Sequence, residues 1–276
     1  MRILVTGAKG QLGQELQRVL RGEEVIAADR PEYELMDPMV GEKVATQRPD
    51  LVIHSAAYTD VDGCEQNPDM AFQVNAIGTR RVAEGAAKAN ARLICISTDY
   101  VFDGKKTEPY TERDPVNPLN VYGRSKLAGE EEALKGCRRT LVLRTSWLYG
   151  VHGKNFVKTI LSLAGTQPEI RVVEDQRGSP TYARHLAQVI AGLIRSDVTG
   201  VIHAGGEGEC SRYEVAKAIL QEAGLGCRVV PISTAESGRL AWRPPYSALS
   251  TVFLHQHGLS LPLWREGVRQ FLADHT

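Results

Sequence analysis

The strongest constraint on this chain stands at its start. A short apolar strand, Ile3-Leu4-Val5, runs into Gly7-Ala8-Lys9-Gly10-Gln11-Leu12-Gly13 and then into an amphipathic helix with Leu12, Leu16, Val19 and Leu20 on one face. The glycine spacing is GxxGxxG. In a strand–turn–helix unit, Gly7 allows the tight turn, Gly10 lets backbone approach a pyrophosphate, and Gly13 lets helix and strand pack closely. The helix N-terminus adds free N–H groups and a partial positive charge for phosphate. This start predicts a βαβ unit with a dinucleotide pocket.

The rest of the first half keeps that rhythm. Strands are expected at Val25–Ala28, Leu51–Ile53, Leu93–Ser97 and Leu141–Leu143, with helices at about Val40–Gln47 and Ala71–Ala89. Strands this apolar suit a parallel sheet covered on both faces. The alternation predicts an α/β, doubly wound, Rossmann-type fold over residues 1–150. After residue 150 the pattern loosens: a strand near Ile170–Val173, a helix over Ala183–Arg195, a strand at Val201–His203 and a helix capped by Ser211. Residues 151–276 are therefore expected to form a smaller substrate-binding lobe, with some segments returning to the first domain and a cleft between the two.

Lys plus Arg and Asp plus Glu both number 33, so the formal net charge is zero. That balance argues against the broad basic surface of a nucleic-acid binder. No apolar run approaches the roughly 20 residues that span a bilayer, and the start lacks the features of a secretory signal. The five cysteines are scattered, with no CxxC pair, and no histidine has a partner at metal spacing, so no metal site is predicted. The expectation is a cytoplasmic protein with reduced thiols and no membrane or nucleic-acid partner.

Strand Val25–Ala28 ends in Asp29-Arg30, where a dinucleotide site treats the adenosine ribose. Asp29 suits a 2′-hydroxyl and Arg30 a 2′-phosphate, so NADH and NADPH both stay open. The chemistry points to two further segments. Thr98 lies at the carboxyl end of the Leu93–Ser97 strand, where ligands of open α/β sheets bind. Tyr122 and Lys126 stand four apart on one helix face. Hydride reduction of a carbonyl leaves an alkoxide that needs a proton. Tyr122 is the donor, Lys126 and a positive nicotinamide favour its phenolate, Lys126 also holds the nicotinamide ribose, and Thr98 steadies the carbonyl oxygen.

These residues resemble the extended short-chain dehydrogenases, and within them the dTDP-4-dehydrorhamnose reductases. The resemblance covers nearly the whole chain. It is carried by Val5-Thr6-Gly7 with Gly10-Gln11-Leu12-Gly13, by Ala56 through Asp62, and by Ser97-Thr98-Asp99-Tyr100-Val101-Phe102. Tyr122-Gly123, Arg144 through Tyr149, Asp175-Gln176-Arg177-Gly178-Ser179-Pro180-Thr181 and Arg243-Pro244 extend it. It implies an NADPH- or NADH-dependent reduction of the 4-keto group of a dTDP-linked deoxysugar. It further implies Tyr122 as proton donor with Lys126 in support, and sugar-nucleotide contacts from Thr98, Asp99, Tyr100 and Trp147. Arg243 suits the substrate's diphosphate. Gly10, Gln11, Leu12, Asp29, Asp37, Ser55, Ala56, Ala57 and Tyr58 would line the cofactor. A homodimer is compatible with the family. Some members hold a divalent metal at a dimer contact; Glu15 matches one such ligand, but no full set is present.

Two competing readings stay open here. A sugar-nucleotide epimerase or dehydratase would share the fold, although dehydratases resemble Thr-Asp-Glu where this chain has Thr98-Asp99-Tyr100. A non-catalytic partner protein, like the regulatory subunit of methionine adenosyltransferase, would share fold and cofactor without turnover. The complete Thr98, Tyr122 and Lys126 set favours an enzyme.

Overall fold

The computed structural model describes residues 1–275. The first strands and helices follow the alternation read from the sequence: β1 (Arg2–Thr6), α1 (Gln11–Val19), β2 (Glu24–Ala28), α2 (Val40–Thr46), β3 (Leu51–His54), α3 (Val61–Gln66), α4 (Pro68–Phe72) and α5 (Thr79–Lys88). Then come β4 (Arg92–Thr98), α6 (Val121–Gly136) and β5 (Thr140–Thr145). The later elements are β6 (Leu148–Tyr149), α7 (Phe156–Ala164), β7 (Glu169–Val173), β8 (Arg177–Gly178), β9 (Thr181–Tyr182), α8 (Ala183–Leu193) and β10 (Gly200–His203). The chain closes with β11 (Cys210–Ser211), α9 (Arg212–Glu222), β12 (Arg228–Ile232), α10 (Val252–Gln256) and α11 (Trp264–His275).

Six strands form one parallel sheet in the order β10-β5-β4-β3-β1-β2. The winding reverses between β1 and β3, so the cleft opens beyond the carboxyl ends of these strands. The side-chain period of two sends alternate residues to opposite faces. Ile3, Val5, Ile94, Ile96, Leu141 and Leu143 pack with Leu12 and Leu16 of α1 and Leu186 and Ile190 of α8. Leu4, Val52, Leu93, Cys95 and Val142 pack on the other face with Val44, Val82, Ala86 and Ala133. Full burial of each large apolar side chain contributes roughly 1.5–3 kcal/mol, which is why strands so apolar settle only in a sheet covered twice.

The sixth strand, β10, comes from beyond residue 150. The remaining late segments build a small lobe around a third apolar cluster, including Val157, Ile160, Val172, Ile219, Trp264 and Phe271, beside the parallel pair β7–β12. No helix among the described residues is long and apolar enough to cross a membrane.

One element departs from expectation. The helix expected over Ala71–Ala89 is interrupted by a π-helical turn at Gln73–Gly78. Asn75 sits within this turn. Its buried amide accepts from Tyr58 N–H at 2.8 Å and donates to the Tyr58 carbonyl and to Ser125 Oγ, each at 3.0 Å. The widened turn holds this amide between the Tyr58 loop and helix α6, and π turns frequently occur at functional sites.

Candidate active site

The glycine turn has the predicted form. Gly7 sits at φ +68°, and a Cβ there would lie 2.8 Å from the Ala56 nitrogen. A Cβ on Gly13 would lie 2.1 Å from the Gly7 carbonyl oxygen, so no side chain fits where α1 crosses β1. Both positions require glycine, one for conformation and space and one for space. Asp29 closes the turn by accepting from Lys9 N–H at 2.6 Å and Arg30 N–H at 2.8 Å. Lys9 Nζ reaches the Arg30 carbonyl at 3.1 Å, so a second cation, which the sequence reading passed over, stands beside Asp29. The Leu12 side chain is core, leaving only its backbone for a ligand. Gln11 accepts from Asn155 at 2.9 Å and ties the turn to the cap of α7.

The segment Ser55-Ala56-Ala57-Tyr58 lies against the end of β1. Ser55 Oγ donates to the Thr6 carbonyl at 2.6 Å, and Ala56 backbone underlies Gly7. Asp37 is engaged locally, by Lys43 at 2.8 Å and Met39 N–H at 2.9 Å, and these bonds, Lys43 first, hold its carboxyl below the usual range. The missing side chains and free helix N-terminus fit a dinucleotide pyrophosphate.

Thr98 ends β4, and Tyr122 stands in the first turn of α6. That helix start is fixed from three sides. Asn120 caps it by accepting from Gly123 N–H at 2.7 Å, Glu65 of α3 accepts from Val121 N–H at 2.7 Å, and Asn120 also donates to the Trp242 carbonyl at 2.6 Å. Gly123 is required by close approach, since its Cβ would lie 2.2 Å from the Tyr100 carbonyl oxygen. The result places the Tyr122 ring edge-on to Tyr100, with ring centroids 5.8 Å apart, and near the Thr98 hydroxyl. Lys126 is buried, one helical turn on, and donates to the Ile96 carbonyl at 2.8 Å.

The electrostatics correct one expectation. Lys126 was expected to favour the Tyr122 phenolate, yet the protein groups together push the Tyr122 pKa well above its ordinary value. Burial is the largest cause, Thr98 opposes it, and the negative charge of Asp99 adds to it. Burial also lowers the Lys126 pKa. The site thus keeps Tyr122 in its acid form. Beside it, burial pushes Asp99 up to about 6, against hydrogen bonds from Ser247 Oγ at 2.6 Å and Thr98 Oγ1 at 3.1 Å and the charge of Arg212. Ser97 Oγ and Thr145 Oγ1, at the ends of β4 and β5, are buried without hydrogen-bond partners among the described residues, as polar atoms facing a ligand would be.

Trp147 follows β5 and packs against the apolar cluster of the second lobe. Its backbone takes φ +45°, and its indole lies over Gly178, whose Cβ would meet the ring at 2.6 Å. This explains the glycine in Asp175–Thr181. The polar members of that string serve structure: Asp175 accepts from Thr234 N–H at 2.9 Å, and Thr181 Oγ1 accepts from Gly206 N–H at 3.1 Å. Arg243 forks onto Asp62 at 3.0 and 3.1 Å. Burial opposes the Asp62 charge, but Arg243, the Ala241 N–H and Arg239 outweigh it and hold the carboxyl at about 2. Arg212, which the sequence reading did not single out, stacks on Trp147 with its guanidinium carbon 3.5 Å from the ring centroid. Only the preceding capping serine hinted at its place, since its partners lie far away in the chain.

Glu15 is fully buried and meets Arg184 at 3.3 Å, and Arg184 also pairs with Asp274. Its counter-charge is therefore a guanidinium of the same chain. Among the described residues, no group of three His, Cys, Asp or Glu side chains is placed to hold a metal ion.

Known proteins resemble this chain along its whole length. The family model described as the RmlD substrate binding domain matches residues 1–276. The spore coat polysaccharide biosynthesis protein SpsK of Bacillus subtilis is 43% identical, over 100% of this chain and 98% of its own length. The dTDP-4-dehydrorhamnose reductase of Mycobacterium tuberculosis is 42% identical, over 99% of this chain and 92% of its own. The crystal structure of the Bacillus anthracis dTDP-4-dehydrorhamnose reductase in complex with NADP superposes with a TM-score of 0.96 at 40% identity, covering 99% of each chain.

Proposed function

The chain belongs to the RmlD substrate binding domain family, and on that premise we propose that it reduces the 4-keto group of a nucleotide-linked deoxysugar, converting dTDP-4-dehydro-L-rhamnose to dTDP-L-rhamnose with NADPH or NADH. The observation that carries the reading is the gathering of Thr98, Tyr122 and buried Lys126 at the carboxyl end of β4, the edge of the sheet on which the glycine turn also opens.

In this reading residues 1–150 chiefly hold the cofactor, through Gly7, Gly10, Gln11, Leu12 backbone, Gly13, Asp29, Arg30, Asp37 and residues 55–58, and residues 151–276 chiefly hold substrate. Bound reduced nicotinamide supplies the hydride. Tyr122 gives its proton to the ketone oxygen as charge develops there, and the raised pKa ensures that the proton is present. Thr98 holds that oxygen by hydrogen bonding, turning its hydroxyl from Asp99 to substrate. Lys126, fixed on the Ile96 carbonyl, supplies a buried positive charge one turn from Tyr122, where the phenolate is left behind. Asp99, Tyr100, Trp147 and Arg243 position the sugar nucleotide. A cytoplasmic location and a homodimer belong to the same proposal.

Mixing the purified chain with the 4-keto sugar nucleotide and either reduced cofactor tests it. The expected result is stoichiometric cofactor oxidation and a 4-hydroxy product, with NADPH and NADH differing by less than about a hundredfold in affinity because Asp29 stands beside Arg30 and Lys9. Interconversion of C4 epimers without net cofactor oxidation would replace this reading with an epimerase.

A further inference from the structure

We propose that Arg212 is a second guanidinium for the substrate's diphosphate, acting with Arg243 beside Tyr100. The inference rests on the nucleotide-sugar reading of the site and adds a specificity-determining residue to it.

Arg212 opens α9, directly after Ser211, whose capping box with Glu214 fixes the helix start. The side chain lies flat on the Trp147 indole at 3.5 Å from the ring centroid, with the Phe156 ring at 5.3 Å. It lies close to Tyr100, and Tyr100 in turn stands edge-on to Tyr122. The planar guanidinium is thus oriented by aromatic neighbours while its donors are left largely unused.

Its charge is not matched in the same way as that of Arg243. Arg243 has a forked carboxylate partner in Asp62. No salt bridge reaches Arg212 among the described residues. Its nearby acid, Asp99, is buried and already hydrogen-bonded to Ser247 and Thr98. Burial is the largest influence on the Arg212 charge and disfavours it; Tyr100 and Asp99 favour the charge, and repulsion from Arg243 opposes it. Packing on Trp147 alone would be served by a neutral side chain without this repulsion. An anion carrying two charges resolves it, and a diphosphate offers paired oxygens that match the guanidinium fork. The ketone end of the same substrate is held by Thr98 and Tyr122, so the neighbouring cations fall to the phosphate end.

The test uses the NADPH-loaded protein, titrated calorimetrically with dTDP and with thymidine. Arg212→Met keeps a long side chain on Trp147 and removes the charge. It should weaken dTDP binding by about tenfold or more, change thymidine binding by less than about twofold, leave NADPH affinity unaltered and raise KM for the sugar nucleotide more than it lowers kcat. Arg212→Lys should restore part of the dTDP affinity. If Arg212→Met does not fold, Arg212→Gln carries the same test. Loss of dTDP and thymidine affinity in equal measure, or dTDP affinity within about twofold of wild type, overturns the role of Arg212. A wild-type protein that binds neither dTDP nor another nucleoside diphosphate sinks instead the nucleotide-sugar reading on which it rests.

Discussion

At the turn after β1, what the chain offers a ligand is backbone N–H and the space left by missing side chains. Beneath Trp147 and Tyr100 it offers charged side chains drawn from both halves of the sequence. The first region centres on seven residues, Gly7 to Gly13, backed by the Ser55–Ala56 backbone, and its close contacts are backbone on backbone. The second is assembled across the chain: Asp99 meets Ser247 at a separation of 148 residues, and Asp62 meets Arg243 at 181. A backbone cradle tolerates almost no added atom. A charge network tolerates atoms but not the loss of one partner, because burial leaves the other uncompensated.

The sharpest way to break the comparison is to add atoms to the cradle. Gly13→Val would drive carbon into the Gly7 carbonyl, 2.1 Å from an added Cβ. Overpacking of this kind typically costs about 1–3 kcal/mol or more. We expect NADPH affinity, read by fluorescence titration, to fall more than about a hundredfold, or the fold to be lost in a thermal melt. Affinity within about threefold of wild type would show that the turn is not a close-fitting cradle.

A smaller effect is expected from removing one charge at the other end. Arg243→Ala should raise KM for the sugar nucleotide by about tenfold while kcat stays within about twofold, because the contact is shared by ground and transition states. Unchanged KM in a folded variant would reject a substrate role and leave Arg243 as the partner of Asp62 alone.

The smallest effect separates the regions by pH. His54, under the cradle, bonds Thr6 at 2.7 Å and Thr79 at 3.0 Å, and burial lowers its pKa to about 3. The unfolded chain then binds more protons between about pH 3 and 6.5, so this group's contribution is lost as pH falls through that window. Asp99 has the opposite sign. Its folded pKa of about 6 lies above the ordinary 3.8, so its contribution is lost as pH rises from 3.8 to 6. The Tm difference between Asp99→Asn and wild type should therefore move in favour of the variant from pH 4 to pH 7, by a few degrees. A difference independent of pH would place the Asp99 pKa near its ordinary value.

The same contrast explains what was legible in the sequence. Gly7, Gly13, Asp29, Thr98, Tyr122 and Lys126 are readable because short-range spacing sets their geometry, and the continuous apolar runs of β1, β4 and β5 announce a sheet covered on both faces. The π turn at Gln73–Gly78 was hidden because Asn75 bonds to Tyr58 and Ser125, neither of them near in sequence. Arg212 was hidden for the same reason, since its aromatic partners come from other elements. That the Tyr122 pKa is raised was not legible, because pair spacing reveals a neighbour but not the burial that acts on the phenol.

Tyr122, beside Thr98 at the end of β4, is the group that gives the proton in the proposed reduction. The most direct measurement is single-turnover reduction by Tyr122→Phe at saturating cofactor. The variant loses only the hydroxyl, so NADPH affinity should remain, while the rate falls by about 10² to 10⁴. A rate within about threefold of wild type would mean that the proton comes from another group and that the Thr98–Tyr122 contact is not the chemical centre.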